Sequence, residues 1–230
     1  YGLSIFYLRM QTRHFYIQNS KKEEIALTYK SLTTKFFKFG SPLSTWIVFS
    51  YSISYIDKLM ILHNLGPKLQ GNYQAIFDLL SRGLTLLISP VRISLLPLIA
   101  QAYERSEKAE MRKLLEKIIL FELVGFFISE ILYWWFGADL LFKILNVPNT
   151  DTYWMMGFIV LSGTFVWQIA MVVHQRYVLK LKSLFLLFMI AVALTVQIIF
   201  FWLFATSRSG NALIYPLGYL IAGVTYLFLL

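Results

Sequence analysis

Residues 183–206 contain no charged side chain, and several other stretches of the chain are nearly as apolar. An α-helix needs about 20 apolar residues to cross about 30 Å of hydrocarbon, so these stretches are long enough to span a membrane. No ladder of alternating strand segments of about ten residues occurs, and helices must therefore satisfy the backbone. With 58% of its residues hydrophobic and only 14% charged, the chain lies outside the usual balance of a soluble domain. The sequence predicts an all-α integral membrane protein.

The apolar stretches predict about six transmembrane helices, which follow the end of an earlier one. Residues 1–8 are apolar and are interpreted as the last turns of that preceding helix, so the chain reads as one half of a longer transporter. Residues 9–38 form a basic, cytoplasmic, amphipathic linker, whose apolar repeat consists of Ile25, Tyr29, Leu32 and Phe36. Residues 39–230 form a six-helix lobe with spans at about residues 40–62, 73–101, 118–136, 153–175, 183–206 and 211–230.

The basic residues are unevenly distributed among the predicted loops. Seven, five and three of the 21 Lys and Arg residues lie before the first span, between the second and third, and between the fourth and fifth. Because cytoplasmic loops are rich in Lys and Arg, these loops and both ends of the chain are predicted to be cytoplasmic. This topology explains the net charge of +9, and nucleic acid is not an expected partner. Aromatic residues near the span ends are typical of an interfacial belt: Trp46, Trp134, Trp135, Tyr153 and Trp154.

The sequence lacks the residues and motifs that several classes of catalytic and metal site require. There is no cysteine, which excludes disulfides and thiolate metal sites, and the three histidines are too scattered to suggest metal ligands. The phosphate-binding loop of ATPases, the zinc helix H-E-x-x-H and the G-x-S-x-G elbow of hydrolases do not occur. We therefore predict no catalytic residue, no metal and no cofactor, and energy for transport must come from a gradient or a partner.

The second predicted span carries three ionisable residues, each of which costs about 3 kcal/mol in hydrocarbon. At about 100° per residue, Asp78, Arg82 and Arg92 share one face of the helix. The uncharged polar residues near the same face are Gln74, Ser81, Thr85 and Ser89. We expect this stripe to face a cavity in which Arg82 and Arg92 bind an anionic head group, with Asp78, Ser89 and Gln74 in the same substrate site. The alternative for Arg82 is a structural ion pair with Asp78, one turn away.

Two further carboxylates are candidates for ion coupling. Asp57 ends a polar strip in the first span, and the alternative is a solvated or locally paired side chain. Glu130 lies nearer the middle of the third span than Glu122, which is close to the basic cytoplasmic end, so Glu130 is the better candidate for proton exchange. Gln168 in the fourth span is interpreted as a helix-to-helix hydrogen-bonding residue, with cavity lining as the alternative.

Five short segments between residues 38 and 99 occur in an order and spacing that resembles a known family. They are Lys38-Phe39-Gly40-Ser41-Pro42-Leu43, Asp57-Lys58, Leu65-Gly66, Gly71-Asn72-Tyr73 and Leu96-Pro97-Leu98-Ile99. Together they are similar to polysaccharide flippases of the Wzx type, in the multidrug/oligosaccharidyl-lipid/polysaccharide (MOP) exporter superfamily. The resemblance covers roughly residues 36–145.

This resemblance implies the second six-helix lobe of a two-lobed, V-shaped transporter in the bacterial cytoplasmic (inner) membrane. Such a protein moves undecaprenyl-diphosphate-linked oligosaccharide between leaflets by alternating access, for surface polysaccharide biosynthesis. Its central cavity is cationic and receives the diphosphate. The implied partners are this lipid-linked oligosaccharide, membrane lipids and a polysaccharide polymerase.

Three other interpretations remain open. A drug or cation antiporter of the same superfamily would have a cavity dominated by acidic residues, whereas cationic residues are slightly ahead here. A membrane-embedded polysaccharide polymerase or ligase would need a large outer loop, and the longest predicted outer connection is only about residues 137–152. The third interpretation is a pure assembly subunit.

Overall fold

A computed structural model of the protein describes residues 29–204 and 211–230. Within these two ranges the chain is helical apart from turns and short loops, and it contains no β-strand, which confirms the predicted all-α class there. The elements are α1 (Tyr29–Leu65), α2 (Pro67–Glu104), α3 (Lys108–Leu132), a π-helical turn (Tyr133–Gly137), α4 (Ala138–Leu145), α5 (Asp151–Leu179), α6 (Ser183–Phe204) and α7 (Ile214–Leu229).

Part of the predicted N-terminal organisation lies outside the described residues. This applies to the helix end predicted at residues 1–8 and to residues 9–28 of the predicted linker, including Ile25 of its amphipathic repeat. Residues 29–38, predicted as the end of the linker, are helical and belong to α1. The first long helix therefore begins about three turns before the predicted span at residues 40–62.

Four helical segments of the described ranges are long and apolar enough to cross a membrane, as a multi-pass membrane protein requires. They are Pro67–Glu104, Lys108–Phe136, Asp151–Leu179 and Ser183–Phe204. They coincide with the second to fifth predicted spans. α7 is apolar but has only 16 residues, and α1 is not among the four.

Short turns reverse the chain between α1 and α2, between α2 and α3, and between α5 and α6. Gly66 ends α1 with a φ of 88°, a conformation that costs little without a side chain, and Pro67 begins α2. Ser106 between α2 and α3 has a φ of 60°, and Leu181 between α5 and α6 has a φ of 54°. Helices joined by turns this short pack side by side as antiparallel hairpins. Residues at equal distances from a turn therefore lie at similar depths in the two helices.

The chain divides into two units, Tyr1–Lys38 and Phe39–Leu230, and the packing described from here on is that of the second. Within it α5 occupies the centre, in contact with α2, α3, α6 and α7. Met156, Val160 and Ala170 of α5 are completely buried. The outer helices expose large apolar side chains, for example Leu86, Trp135 and Phe188. A surface of this kind is suited to hydrocarbon rather than to water.

Candidate functional site

The first polar cluster lies across the hairpin of α1 and α2. Asp57 on α1 is 0% exposed, although it is an ionisable residue. The Tyr73 hydroxyl of α2 donates a hydrogen bond to Asp57 Oδ2, and the backbone N–H of Lys58 donates to Oδ1 at 2.8 Å. The solvated alternative for Asp57 is therefore wrong, and its main partner is a tyrosine on the neighbouring helix. Both carboxylate oxygens have a donor, so the burial is compensated.

Lys58 extends this cluster to the predicted polar stripe of α2. Its side chain is buried, and Nζ lies 3.4 Å from Asp78 Oδ1 and 4.3 Å from the centre of the Phe77 ring. The ion pair expected between Asp78 and Arg82 also forms, at 3.7 Å between Asp78 Oδ2 and Arg82 Nη2. Asp78 is therefore shared by two cations. The Arg82 side chain is 78% exposed, so most of its guanidinium surface remains open.

The second polar cluster joins α2 to the central helix α5. Gln168 Nε2 donates to Thr85 Oγ1 at 2.8 Å, and Arg92 Nη1 donates to Gln168 Oε1 at 2.7 Å. The helix-to-helix interpretation of Gln168 is thus borne out by its two bonds. Arg92 is half-buried and forms no ion pair with any described residue. A guanidinium in a membrane-length helix is held here by a neutral amide.

The two carboxylates of α3 differ in burial. Glu130, the preferred candidate, is half-buried and accepts a long hydrogen bond of 3.5 Å from Ser162. Glu122 is 0% exposed, and neither of its carboxylate oxygens has a hydrogen-bond partner among the described residues. Of the two, Glu122 is the more deeply enclosed.

The predicted stripe on α2 does not converge on one place. Asp78 contacts Lys58 on α1, whereas Thr85 and Arg92 both contact Gln168 on α5. Gln74 Oε1 accepts a hydrogen bond of 2.8 Å from Gln70 on its own helix. Ser89 is half-buried. Arg82 and Arg92 are ten residues apart, which is about 15 Å along a helix. The two arginines therefore lie at two different depths.

A third polar group was not anticipated. Trp46 Nε1 donates to the Tyr226 hydroxyl at 2.8 Å, and His174 Nδ1 lies 2.7 Å from the same oxygen. All three side chains are buried, so Trp46 belongs to the interior and its assignment to an interfacial belt is wrong. Trp134 and Trp135 are exposed, as a belt requires. No local spacing signals the buried group, because its members come from α1, α5 and α7.

Comparison with known proteins places the chain in no family. No family model, no curated protein and no solved structure matches it. The likeness of residues 36–145 to Wzx-type flippases therefore stays a prediction.

Proposed function

We propose that this protein is a flippase that moves a polyprenyl-diphosphate-linked oligosaccharide across the cytoplasmic membrane by alternating access. The observation that carries the proposal is the environment of the Arg92 guanidinium. Its guanidinium lies in a helix long and apolar enough to span a membrane, and Nη1 bonds the neutral Gln168 at 2.7 Å. A charged group at such a position is costly and usually marks the path of a substrate or ion.

The chemistry of arginine specifies the kind of cargo. A guanidinium is always charged and presents a planar fork of donors that matches phosphate oxygens, so a diphosphate is a fitting ligand. Arg82 adds a second such group, with one ion pair of 3.7 Å and most of its side chain exposed. Since the two arginines lie at different depths, we infer that the diphosphate meets them in succession during its passage.

We also propose that α1 and α7 complete a six-helix lobe of the MOP type with the four membrane-length helices. Two hydrogen bonds join α1 to α7. Trp46 donates to the Tyr226 hydroxyl, and Asn64 Nδ2 donates to the Tyr215 hydroxyl at 3.1 Å. A bond of 3.0 Å from Gln197 Nε2 to the Ile53 carbonyl joins α1 to α6. These contacts support a place for α1 within the bundle, beside α7 and the membrane-length helix α6.

The distribution of basic residues supports an orientation in the bacterial inner membrane. The turns beside Arg105 and Lys180, with their neighbouring Lys and Arg residues, would face the cytoplasm under the positive-inside rule. Membrane lipids would cover exposed apolar residues such as Leu86 and Phe188. A polysaccharide polymerase that receives the flipped cargo is the partner that this activity implies.

The test is complementation of a flippase-deleted bacterial strain by the full-length protein. Arg92→Gln, Arg82→Gln and the double variant are compared with the unmutated protein at matched membrane levels. Loss of one charge-assisted contact of about 1.5–3 kcal/mol predicts a fall in flipping of about 10- to 100-fold for Arg92→Gln. The readouts are surface polysaccharide, which should fall, and the lipid-linked precursor in the inner leaflet, which should accumulate.

Arg112→Gln is the matched control. Arg112 is exposed on α3 and pairs with Glu116 at 2.7 Å, so it has the same charge but lies at the basic end of the helix. This variant should complement like the unmutated protein. Full surface polysaccharide from the Arg82/Arg92 double variant would refute the role of these arginines. Failure of the unmutated protein itself would favour the second candidate function.

That second candidate is a drug or cation antiporter of the same superfamily. The observation in its favour is that two carboxylates of α1 and α3, Asp57 and Glu122, are 0% exposed. Buried carboxylates in membrane helices commonly bind protons or cations during transport. Inverted membrane vesicles with an imposed pH gradient distinguish the two: an antiporter takes up a cationic dye, and Asp57→Asn abolishes that uptake.

A further inference from the structure

The carboxyl group of Glu122, in the membrane-length helix α3, is buried without a hydrogen-bond partner among the described residues. The residue is 0% exposed, and neither of the two oxygens has a described partner. An ionised carboxylate in such surroundings is shielded from solvent and has no described donor to stabilise its charge. The neutral acid is the form that this arrangement accommodates, and a carboxyl group held neutral in a protein is ready to exchange a proton.

Arg92 lies at the same depth on the facing helix of the hairpin. It is 12 residues before the end of α2 at Glu104, and Glu122 is 14 residues after the start of α3 at Lys108. At about 1.5 Å per residue, these positions are about 18 Å and about 21 Å from the turn. The two helices are in contact. Yet Arg92 donates to Gln168 rather than to this carboxyl group.

The other elements packed against α3 offer Glu122 no competing charge among the residues described. α5 presents Gln168, which is uncharged, and His174 further along, which is bonded to Tyr226. The π-helical turn presents Tyr133, whose hydroxyl donates to the Trp154 carbonyl at 2.8 Å. The alternatives open to Arg92 are therefore the amide of Gln168 and the carboxylate of Glu122.

We propose that Glu122 is a proton-binding site that controls the partner of Arg92. With Glu122 protonated, Arg92 bonds Gln168, and Gln168 links α2 to α5 through Thr85. When the proton leaves to the water at the basic end of α3, the carboxylate attracts Arg92, which exchanges its bond to Gln168 for an ion pair with Glu122. No other group changes its charge, and one proton is released for each exchange.

Proton binding at Glu122 does not depend on what the protein carries. Its effect on cargo binding, however, rests on the proposed function. A diphosphate needs the guanidinium of Arg92 free of a carboxylate, which is the state with Glu122 protonated. Proton binding at Glu122 would then favour cargo binding at Arg92. The experiments below measure the protonation and the helix contact directly, so they can succeed or fail whatever the cargo proves to be.

Infrared difference spectroscopy of the purified protein in lipid nanodiscs tests the protonation. Between mildly acidic and mildly alkaline pH, the parent protein should lose a carbonyl-stretch band of a protonated carboxyl group. Glu122→Gln, which is nearly isosteric, should lack this band, and Glu122→Asp should shift it. Glu116→Gln is the matched control on the same helix, because Glu116 is exposed and pairs with Arg112, and it should keep the band.

Spin labels test the exchange of Arg92. The chain has no cysteine of its own, so Ser94→Cys on α2 and Arg176→Cys on α5, both exposed, give a single labelled pair. In the parent protein the distance distribution should change when the pH is raised, because Arg92 then leaves Gln168 and one of the two bonds from Gln168 to α2 is lost. In Glu122→Gln it should stay the same at both pH values. Gln168→Ala removes both bonds, so it should lack the low-pH distribution of the parent protein at both pH values.

Two results would overturn the proposal. A band that survives in Glu122→Gln would assign the proton to another carboxyl group, of which Glu130 is the next candidate. A distance distribution that responds to pH equally in Glu122→Gln, or does not respond in the parent protein, would refute the exchange of Arg92. Thermal unfolding in the same nanodiscs establishes that each variant is folded before either measurement is made.

Discussion

Tyr73 on α2 donates a hydrogen bond to the carboxylate of Asp57 on α1, and both side chains are 0% exposed. The two residues lie on either side of Gly66, nine residues before it and seven after it. The reversal of the chain at Gly66 therefore brings them face to face. A buried acid with a tyrosine donor is a specific pairing that holds the first two long helices together.

Replacing Tyr73 by Phe should destabilise the protein by about 1–3 kcal/mol, because Asp57 Oδ2 then loses its donor in a buried site. Reversible unfolding in mixed micelles measures the change. Tyr55→Phe is the control: Tyr55 is exposed on the same hairpin, and the change should stay within about 0.5 kcal/mol. Equal effects of the two substitutions would contradict the importance of the Asp57 bond.

Gln168→Leu should cost about 1–2 kcal/mol, since it removes two bonds between α2 and α5, and such bonds average about 0.6 kcal/mol each in membrane proteins. Thr85→Val keeps the shape of the threonine and removes only its bond to Gln168, so its effect should be about half as large. The two variants are compared by the same unfolding assay. A larger loss for Thr85→Val than for Gln168→Leu would be inconsistent with Gln168 as the common partner.

Gly163→Ala should destabilise the contact of α5 with α7 by about 1–3 kcal/mol, because overpacking forces neighbours to move. A Cβ atom at Gly163 would lie 2.8 Å from Cδ1 of the buried Tyr219 ring. Gly83 on α2 is the matched control, since nothing lies within 4 Å of a Cβ atom there. Gly83→Ala should be neutral or stabilising by up to about 1 kcal/mol, and a loss as large as that of Gly163→Ala would refute the steric argument.

Leu181→Asn should stabilise the protein by about 1 kcal/mol, because Leu181 adopts a left-handed φ of 54° that asparagine tolerates far better. Thermal unfolding in detergent is a suitable assay. Leu181→Ala separates the two properties of this exposed leucine: it removes the apolar surface but keeps the Cβ atom that causes the strain. If the alanine variant gains as much as the asparagine variant, the backbone conformation is not the cause.

Local arguments predicted the parts of the site that depend on a single helix. Asp78 and Arg82 are four residues apart, and helix geometry alone places them within reach of each other. The pairing of Asp78 with Lys58 follows from the packing of two helices, and no spacing along either one specifies it. The same holds for Arg92 and Gln168, which are 76 residues apart.

The number of residues between a side chain and a turn can be read from the sequence, and it indicates which residues of a hairpin are level. Glu122 and Arg92 are at nearly equal distances from the turn around Ser106, as Asp57 and Tyr73 are from Gly66. Equal distance from a turn predicts that two residues are level, but it does not predict that their side chains face each other rather than lipid. Glu130 was preferred to Glu122 as an ion-coupling candidate on depth alone, whereas the packing of neighbouring helices makes Glu122 the more buried of the two.

The amino-acid sequence by itself determined that the described chain is helical and that four of its segments are long and apolar enough for a membrane. These properties depend on hydrogen bonds and hydrophobicity within each segment, which tertiary contacts do not alter. Only the tertiary structure decided the partners of Asp57, Lys58 and Arg92 and the isolation of Glu122. In an apolar segment nearly every face can contact either lipid or protein, so the rotation of each helix is set by the close packing of side chains and by the few polar groups that must find one another.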